Sequence, residues 1–149
     1  INFISTDVND EILDFQKEKY NYENFYFLKC YAEEIDKCFK KYNLFDKKII
    51  LFSEGSLNYV NPYFLEIFFK KLNIIKNLNV FILEPVDIRF IDKNLNKSEN
   101  RGHVSFSHAY DKYAKHFKIL NNKVIRPHDV NTTLPVHQHT GNYYIHFKT

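Results

Sequence analysis

Short apolar, β-branched runs alternate along this chain with segments whose apolar residues recur every three or four positions. That alternation limits the fold more than any other feature. Ile1 to Thr6 reads as a strand, and Asp7 to Glu11 then brings helix-start chemistry, with Asn9 as N-cap and Asp10 and Glu11 in the first turn. Ile12, Phe15 and Lys19 continue that helical face, and Phe25 to Leu28 forms a second strand. From Glu33 the positions Ile35, Cys38, Phe39 and Tyr42 keep a helical period. Lys48 to Ser53 is an unbroken apolar run of the kind buried on both faces of a sheet, which predicts a central strand. Asn61 and Pro62 open a helix to about Leu72 carrying Phe64, Leu65, Phe68 and Leu72. Asn79 to Leu83 follows as another buried strand, ending at Glu84-Pro85.

The second half changes character. Ile91 to Gly102 has no apolar period and reads as an exposed loop. Ser107 is placed to cap a short helix with the face Tyr110, Tyr113, Ala114 and Phe117. Lys123 to Arg126 and Asn142 to Phe147 read as strands with no helical period between them, so they predict an antiparallel closing pair. The whole order implies an α/β fold: a Rossmann-like, mostly parallel sheet with helices on both faces and a C-terminal antiparallel strand pair. Ligands of such sheets gather at the carboxyl ends of the strands. Those ends are Thr6-Asp7, Cys30 to Glu33, Ser53 to Gly55 and Glu84 to Asp87, where carboxylates recur.

With 149 residues, 44% apolar and 26% charged, the chain fits one globular domain and excludes a disordered one. No apolar run approaches the roughly 20 residues of a bilayer crossing, and Ile1 to Asp10 lacks a signal peptide's basic start and apolar middle, which predicts a cytoplasmic protein. Lys and Arg number 21 against 18 Asp and Glu, and only Arg89, Arg101 and Arg126 are arginines. So small a cationic excess, carried by scattered lysines, argues against a nucleic-acid partner. Cys30 and Cys38 form no metal or redox motif and read as reduced, packed thiols. The sequence has no methionine and opens at Ile1 within a predicted strand, so residues 1–149 read as a single domain that is incomplete at its N-terminus.

Three stretches resemble class I S-adenosylmethionine-dependent methyltransferases entered at their second strand. ISTDVNDEIL resembles the family's strand that ends in an acid and runs into a helix; the resemblance implies that Asp7 holds the cofactor's ribose hydroxyls. A carboxylate suits that role because it is acceptor-only and can receive two hydroxyl donors. KCYAEEI resembles the next strand end, where the family has an acid followed by alanine; here Tyr31 replaces the acid, leaving Ala32 and Glu33 as the adenine-facing residues. FDKKIILFSEGSLNYV resembles the fourth strand and its turn. There the resemblance implies Glu54 and Gly55 at the methionine end of the cofactor, with Asn58 and Tyr59 lining the acceptor pocket.

SENRGHVSFSHAYDKYA is similar to the substrate-side half of small methyltransferases found with surface-polysaccharide genes. The implied activity is methyl transfer from S-adenosylmethionine to a small-molecule or glycan-linked acceptor, with His108 at a helix start as general base. One departure is large. The family's glycine-rich loop is absent, since the only glycines are Gly55, Gly102 and Gly141, which implies that the family's first strand and helix are missing.

Two further readings stand beside this one. A Rossmann-like module without the glycine loop would bind a nucleotide or a partner without chemistry. His137 and His139, sharing one face of an extended segment with His128 and Asp129 nearby, suggest a metal-dependent hydrolase, but no second clustered pair accompanies them. They read better as a polar flap beside the acceptor, and no metal is assigned.

Overall fold

The computed structural model describes residues 1–93, 96–102, 104–125 and 140–149, and of residues 89, 92 and 93 the backbone only. His128, Asp129, His137 and His139 lie outside the described residues.

Strand β1 (Phe3–Asp7) leads into helix α1 (Asp10–Lys19), and strand β2 (Phe25–Lys29) pairs with β1 in parallel. Asn9 caps α1 as its sequence position predicts, its side chain accepting from the Glu11 N–H at 2.8 Å. Helix α2 (Ile35–Lys41) buries Ile35, Cys38 and Phe39 and leads to strand β3 (Ile49–Glu54). Helix α3 (Pro62–Leu72) starts at Asn61, whose side chain accepts from the Tyr63 N–H at 3.0 Å, with proline in the first turn where no N–H is needed. Both cysteines are buried free thiols, and desolvation pushes the Cys30 thiol up to about 11.

Strand β4 (Leu78–Asp87) pairs with β3 in parallel, and helix α4 (Ile88–Lys93) follows it. Strands β5 (Ser98–Gly102) and β6 (Ser105–His108) form an antiparallel hairpin, helix α5 (Tyr110–Tyr113) is a single turn, and strands β7 (Lys118–Ile125) and β8 (Thr140–Lys148) pair antiparallel. In the larger sheet the order is β3-β4-β8-β7, so β8 inserts antiparallel between two strands that run the same way.

One face of that sheet is the core. Val80, Ile82 and Val86 of β4 and Ile145 and Phe147 of β8 are fully buried against Leu65, Phe68, Phe69 and Leu72 of α3. Phe69 sits between the rings of Tyr113 and Phe147, with centroids 5.6 and 5.7 Å away. Each such apolar side chain contributes about 1.5–3 kcal/mol on burial. Gly141 is required by packing, because a Cβ there would lie 2.7 Å from the Ile125 carbonyl oxygen on the neighbouring strand.

The structure corrects the sequence reading at several places. The larger sheet is mixed, not mostly parallel, with one parallel pairing of three, and β7 begins at Lys118 instead of Lys123. β3 is buried on one face only: Ile50 is 76% and Phe52 61% exposed, and among the described residues nothing pairs with the strand's second edge. Residues 98–102, expected in a loop, are a strand. Ser107 is not a helix cap but a β6 residue whose hydroxyl accepts from the Asp87 N–H at 2.8 Å. β4 runs through Glu84 and Pro85 to Asp87, four residues past its expected end.

Candidate functional site

β1 and β2 end side by side, the Cys30 N–H donating to the Asp7 carbonyl at 3.0 Å. The half-buried Asp7 carboxylate accepts from the Asn9 N–H at 2.9 Å, so the turn into α1 fixes its direction. Ala32 and Glu33 lie one step away in a 3-10 turn (Ala32–Glu34) that follows β2. That turn is tied to α3 by Lys71, which donates to the Glu33 carbonyl at 2.6 Å and pairs with Asp36 at 2.5 Å. Asp7, Ala32 and Glu33 therefore stand at adjacent strand ends.

The second group surrounds the end of β3. Gly55 has φ +63°, the left-handed region that glycine enters without strain, and its N–H donates to the Leu83 carbonyl at 3.2 Å. A Cβ at Gly55 would meet nothing within 4 Å, so the turn leaves open space on that side. A 3-10 turn (Leu57–Tyr59) follows and presents Tyr59, 60% exposed, to solvent. Glu54 is exposed, because it continues the open face of Ile50 and Phe52. Asn58 is buried inside the turn, so it does not line an acceptor pocket: its amide donates to the Gly55 carbonyl at 3.0 Å and to Glu84 Oε2 at 3.1 Å.

The buried acid at this rim is Glu84, which is fully inaccessible. Its signal in the sequence is period 2: it falls in the stripe Leu78, Val80, Ile82, Glu84, Val86, all facing the core.

His108 lies at the end of β6, not at a helix start, and is fully buried. Its Nε2 is 3.1 Å from the Val60 carbonyl, an acceptor, so Nε2 carries the hydrogen. Nδ1 then accepts from the Ser98 hydroxyl at 2.6 Å, and Ser98 in turn accepts from the Tyr113 hydroxyl at 2.6 Å. Burial pushes the His108 imidazole down to about 4, against smaller opposing effects of the Val60 and Leu57 backbone. With both nitrogens engaged and no exposed surface, His108 offers no base to an acceptor; it pins the hairpin to the β3 turn.

A cavity of about 450 Å³ opens beside β8, with Phe90, Ile91 and Val124 as apolar walls and Asn96, Asp111 and Tyr143 as polar lining. The Tyr143 hydroxyl donates to Asp111 at 2.8 Å, and desolvation, with Asp111 beside it, raises that phenol well above its ordinary value. Tyr143 therefore remains protonated and holds the Asp111 carboxylate. Among the described residues no cluster of three or more His, Cys, Asp or Glu side chains has the arrangement of a metal site.

No protein-family profile matches the sequence, and no curated protein matches it. Solved structures do match its fold. A SAM-dependent methyltransferase from Anabaena variabilis superposes with a TM-score of 0.63 at 13% identity, over 99% of this chain and 68% of its own. A SAM-dependent methyltransferase from Methanosarcina mazei gives 0.61 at 10% identity, over 97% of this chain and 81% of its own. An S-adenosylmethionine-dependent methyltransferase from Clostridium acetobutylicum gives 0.60 at 13%, over 97% and 74%. The chain has the class I methyltransferase fold. Among its described residues no helix is long and apolar enough to cross a membrane.

Proposed function

We propose that this methyltransferase-like protein is an S-adenosylmethionine-dependent methyltransferase acting on a small-molecule or glycan-linked acceptor, with surface-polysaccharide synthesis as its setting. The carrying observation is the grouping of Asp7 with Ala32 and Glu33 at adjacent parallel strand ends in a methyltransferase fold. The donor set fits the cofactor: Asp7 is a half-buried carboxylate of fixed direction for two ribose hydroxyls, and Gly55 leaves room where a side chain would intrude. Ala32 and Glu33 face the adenine, Glu54 receives the ammonium of the methionine part, and Tyr59 lines the acceptor side.

When bound, the cofactor supplies an electrophilic methyl group on sulfur. The protein's work is positioning, which converts an encounter of two molecules into a step within one complex. The cavity beside β8 suits the acceptor, since its volume lies in the range of small-molecule sites and it combines apolar walls with a few polar groups. With His108 sealed off, the acceptor's proton leaves to solvent or to Asp111.

The working protein, in this reading, also has a βα unit between β1 and β3 that supplies the glycine-rich loop. Its support is the unpaired edge of each strand among the described residues and the exposed Ile50 and Phe52 beside one of them.

Calorimetry with S-adenosylhomocysteine tests the proposal. Binding by the complete protein that Asp7→Ala weakens at least tenfold is expected. Equal binding by both proteins refutes the site, and absence of binding refutes the activity. Binding without any methyl transfer to a panel of sugars and amines would favour a non-catalytic nucleotide-binding module.

A further inference from the structure

Glu84 is a fully buried carboxylate that the proposed cofactor contacts do not use. A carboxylate set among Val80, Ile82 and Val86 costs several kcal/mol unless donors replace the water it has lost. Five donors do so. Oε1 accepts from the Ser53 hydroxyl at 2.6 Å, the Ser56 N–H at 3.2 Å and the Leu57 N–H at 3.1 Å. Oε2 accepts from the Asn58 N–H at 3.3 Å and the Asn58 amide at 3.1 Å. Each of these five partners is a donor, and three are successive backbone N–H groups, an arrangement that holds anions in protein turns. Here the anion is part of the chain.

The consequence reaches the turn that carries the candidate site. Residues 56–58 point their N–H groups inward at Glu84, and Asn58 also clasps the Gly55 carbonyl at 3.0 Å. With the inner side of the turn committed, Glu54, Gly55 and Tyr59 are left on the outer side, where they are exposed. We infer that Glu84 is a positioning residue: it holds the Glu54–Tyr59 turn in the single conformation that receives the cofactor. This inference rests on the methyltransferase reading above.

Glu84→Gln tests it with almost no change in volume. One acceptor oxygen becomes an NH2 group that faces N–H donors, so the turn loses its organising centre. The affinity of the complete protein for S-adenosylhomocysteine is expected to fall tenfold or more. In amide NMR spectra the Ser56, Leu57 and Asn58 signals are expected to respond to S-adenosylhomocysteine in the unaltered protein, and in the variant to shift and stop responding.

Leu78→Ala, which lowers stability at the opposite end of β4 from Glu84, separates positioning from general weakening. Its affinity is expected to match the unaltered protein; an equal loss in both variants overturns the inference. Undiminished binding by Glu84→Gln overturns it alone, whereas absence of binding by the unaltered protein overturns the methyltransferase reading with it. If Glu84→Gln does not fold, Ser53→Ala removes only the 2.6 Å donor. A threefold or larger loss of affinity there supports the inference, and unchanged binding refutes it.

Discussion

Acidification is expected to weaken this protein through His108, by an amount that follows from its surroundings. The imidazole is buried against Phe106, Tyr110 and Tyr113, with Nε2–H on Val60 and Nδ1 on Ser98. A proton added at Nδ1 would confront a hydroxyl that is already donating, in a space with no carboxylate partner among the described residues. The folded value of about 4 lies below the ordinary 6.5, so the unfolded chain binds more protons between these limits. The stabilisation is complete above pH 6.5 and is lost as pH falls towards 4, to a total of roughly 3 kcal/mol.

Urea denaturation followed by circular dichroism at pH 7.5 and pH 4.5 measures the effect. About 2.5 kcal/mol of the His108 contribution is expected to disappear over that span. Asp36 and Glu66, held low by Lys71 and Lys97 respectively, add their own acid losses. The quantity to read is therefore the difference between the unaltered protein and His108→Gln, in which those losses cancel. The variant is expected to be weaker at pH 7.5 and to lose correspondingly less on acidification. Parallel losses in the two proteins would show that His108 is reached by protons in the native state and would refute the argument.

Gly141→Ala is expected to lower stability by about 1–3 kcal/mol in the same denaturation assay, since the new methyl would press on a backbone oxygen 2.7 Å away that cannot step aside. The Tyr110 hydroxyl is buried with no hydrogen-bond partner among the described residues, so Tyr110→Phe should leave the unfolding midpoint unchanged or raise it. A drop of more than 1 kcal/mol would show that the hydroxyl has an undetected partner.

The sequence discloses this fold where the signals are local. Asn9 and Asn61 announce helices because a capping side chain needs only the N–H two residues on. The strand Ser98–Gly102 carries no such signal: its residues are polar, and two of them bond within the fold, Ser98 to His108 and Tyr113, and Asn100 to the Gly102 N–H at 2.6 Å. Pro85 looked like a strand terminator, yet β4 passes through it. Leu83 points its carbonyl towards the Gly55 N–H, and Pro85, two residues on, points the same way past the end of β3, where no N–H is required.

Of the candidate site, the sequence discloses which residues stand at strand ends. Asp7, Ala32 and Glu33 do lie together, because a strand end and the turn after it are contiguous in the chain. The sequence does not tell the buried Glu84 from the exposed Glu54, because a row of apolar letters does not say which layer covers which face. His108 reads as a base at a helix start, and only the atoms enclosing it show that it is sealed at the end of β6.

The open side of β3 bears on how the protein behaves in a test tube. A row of backbone groups with no strand partner among the described residues, alongside Ile50 and Phe52, is a template for any extended chain that arrives, including another copy. Residues 1–149 on their own are accordingly expected to self-associate when concentrated, whereas protein in which a βα unit covers that edge is not, and polar replacements at those two positions are the first place to look for a better-behaved preparation.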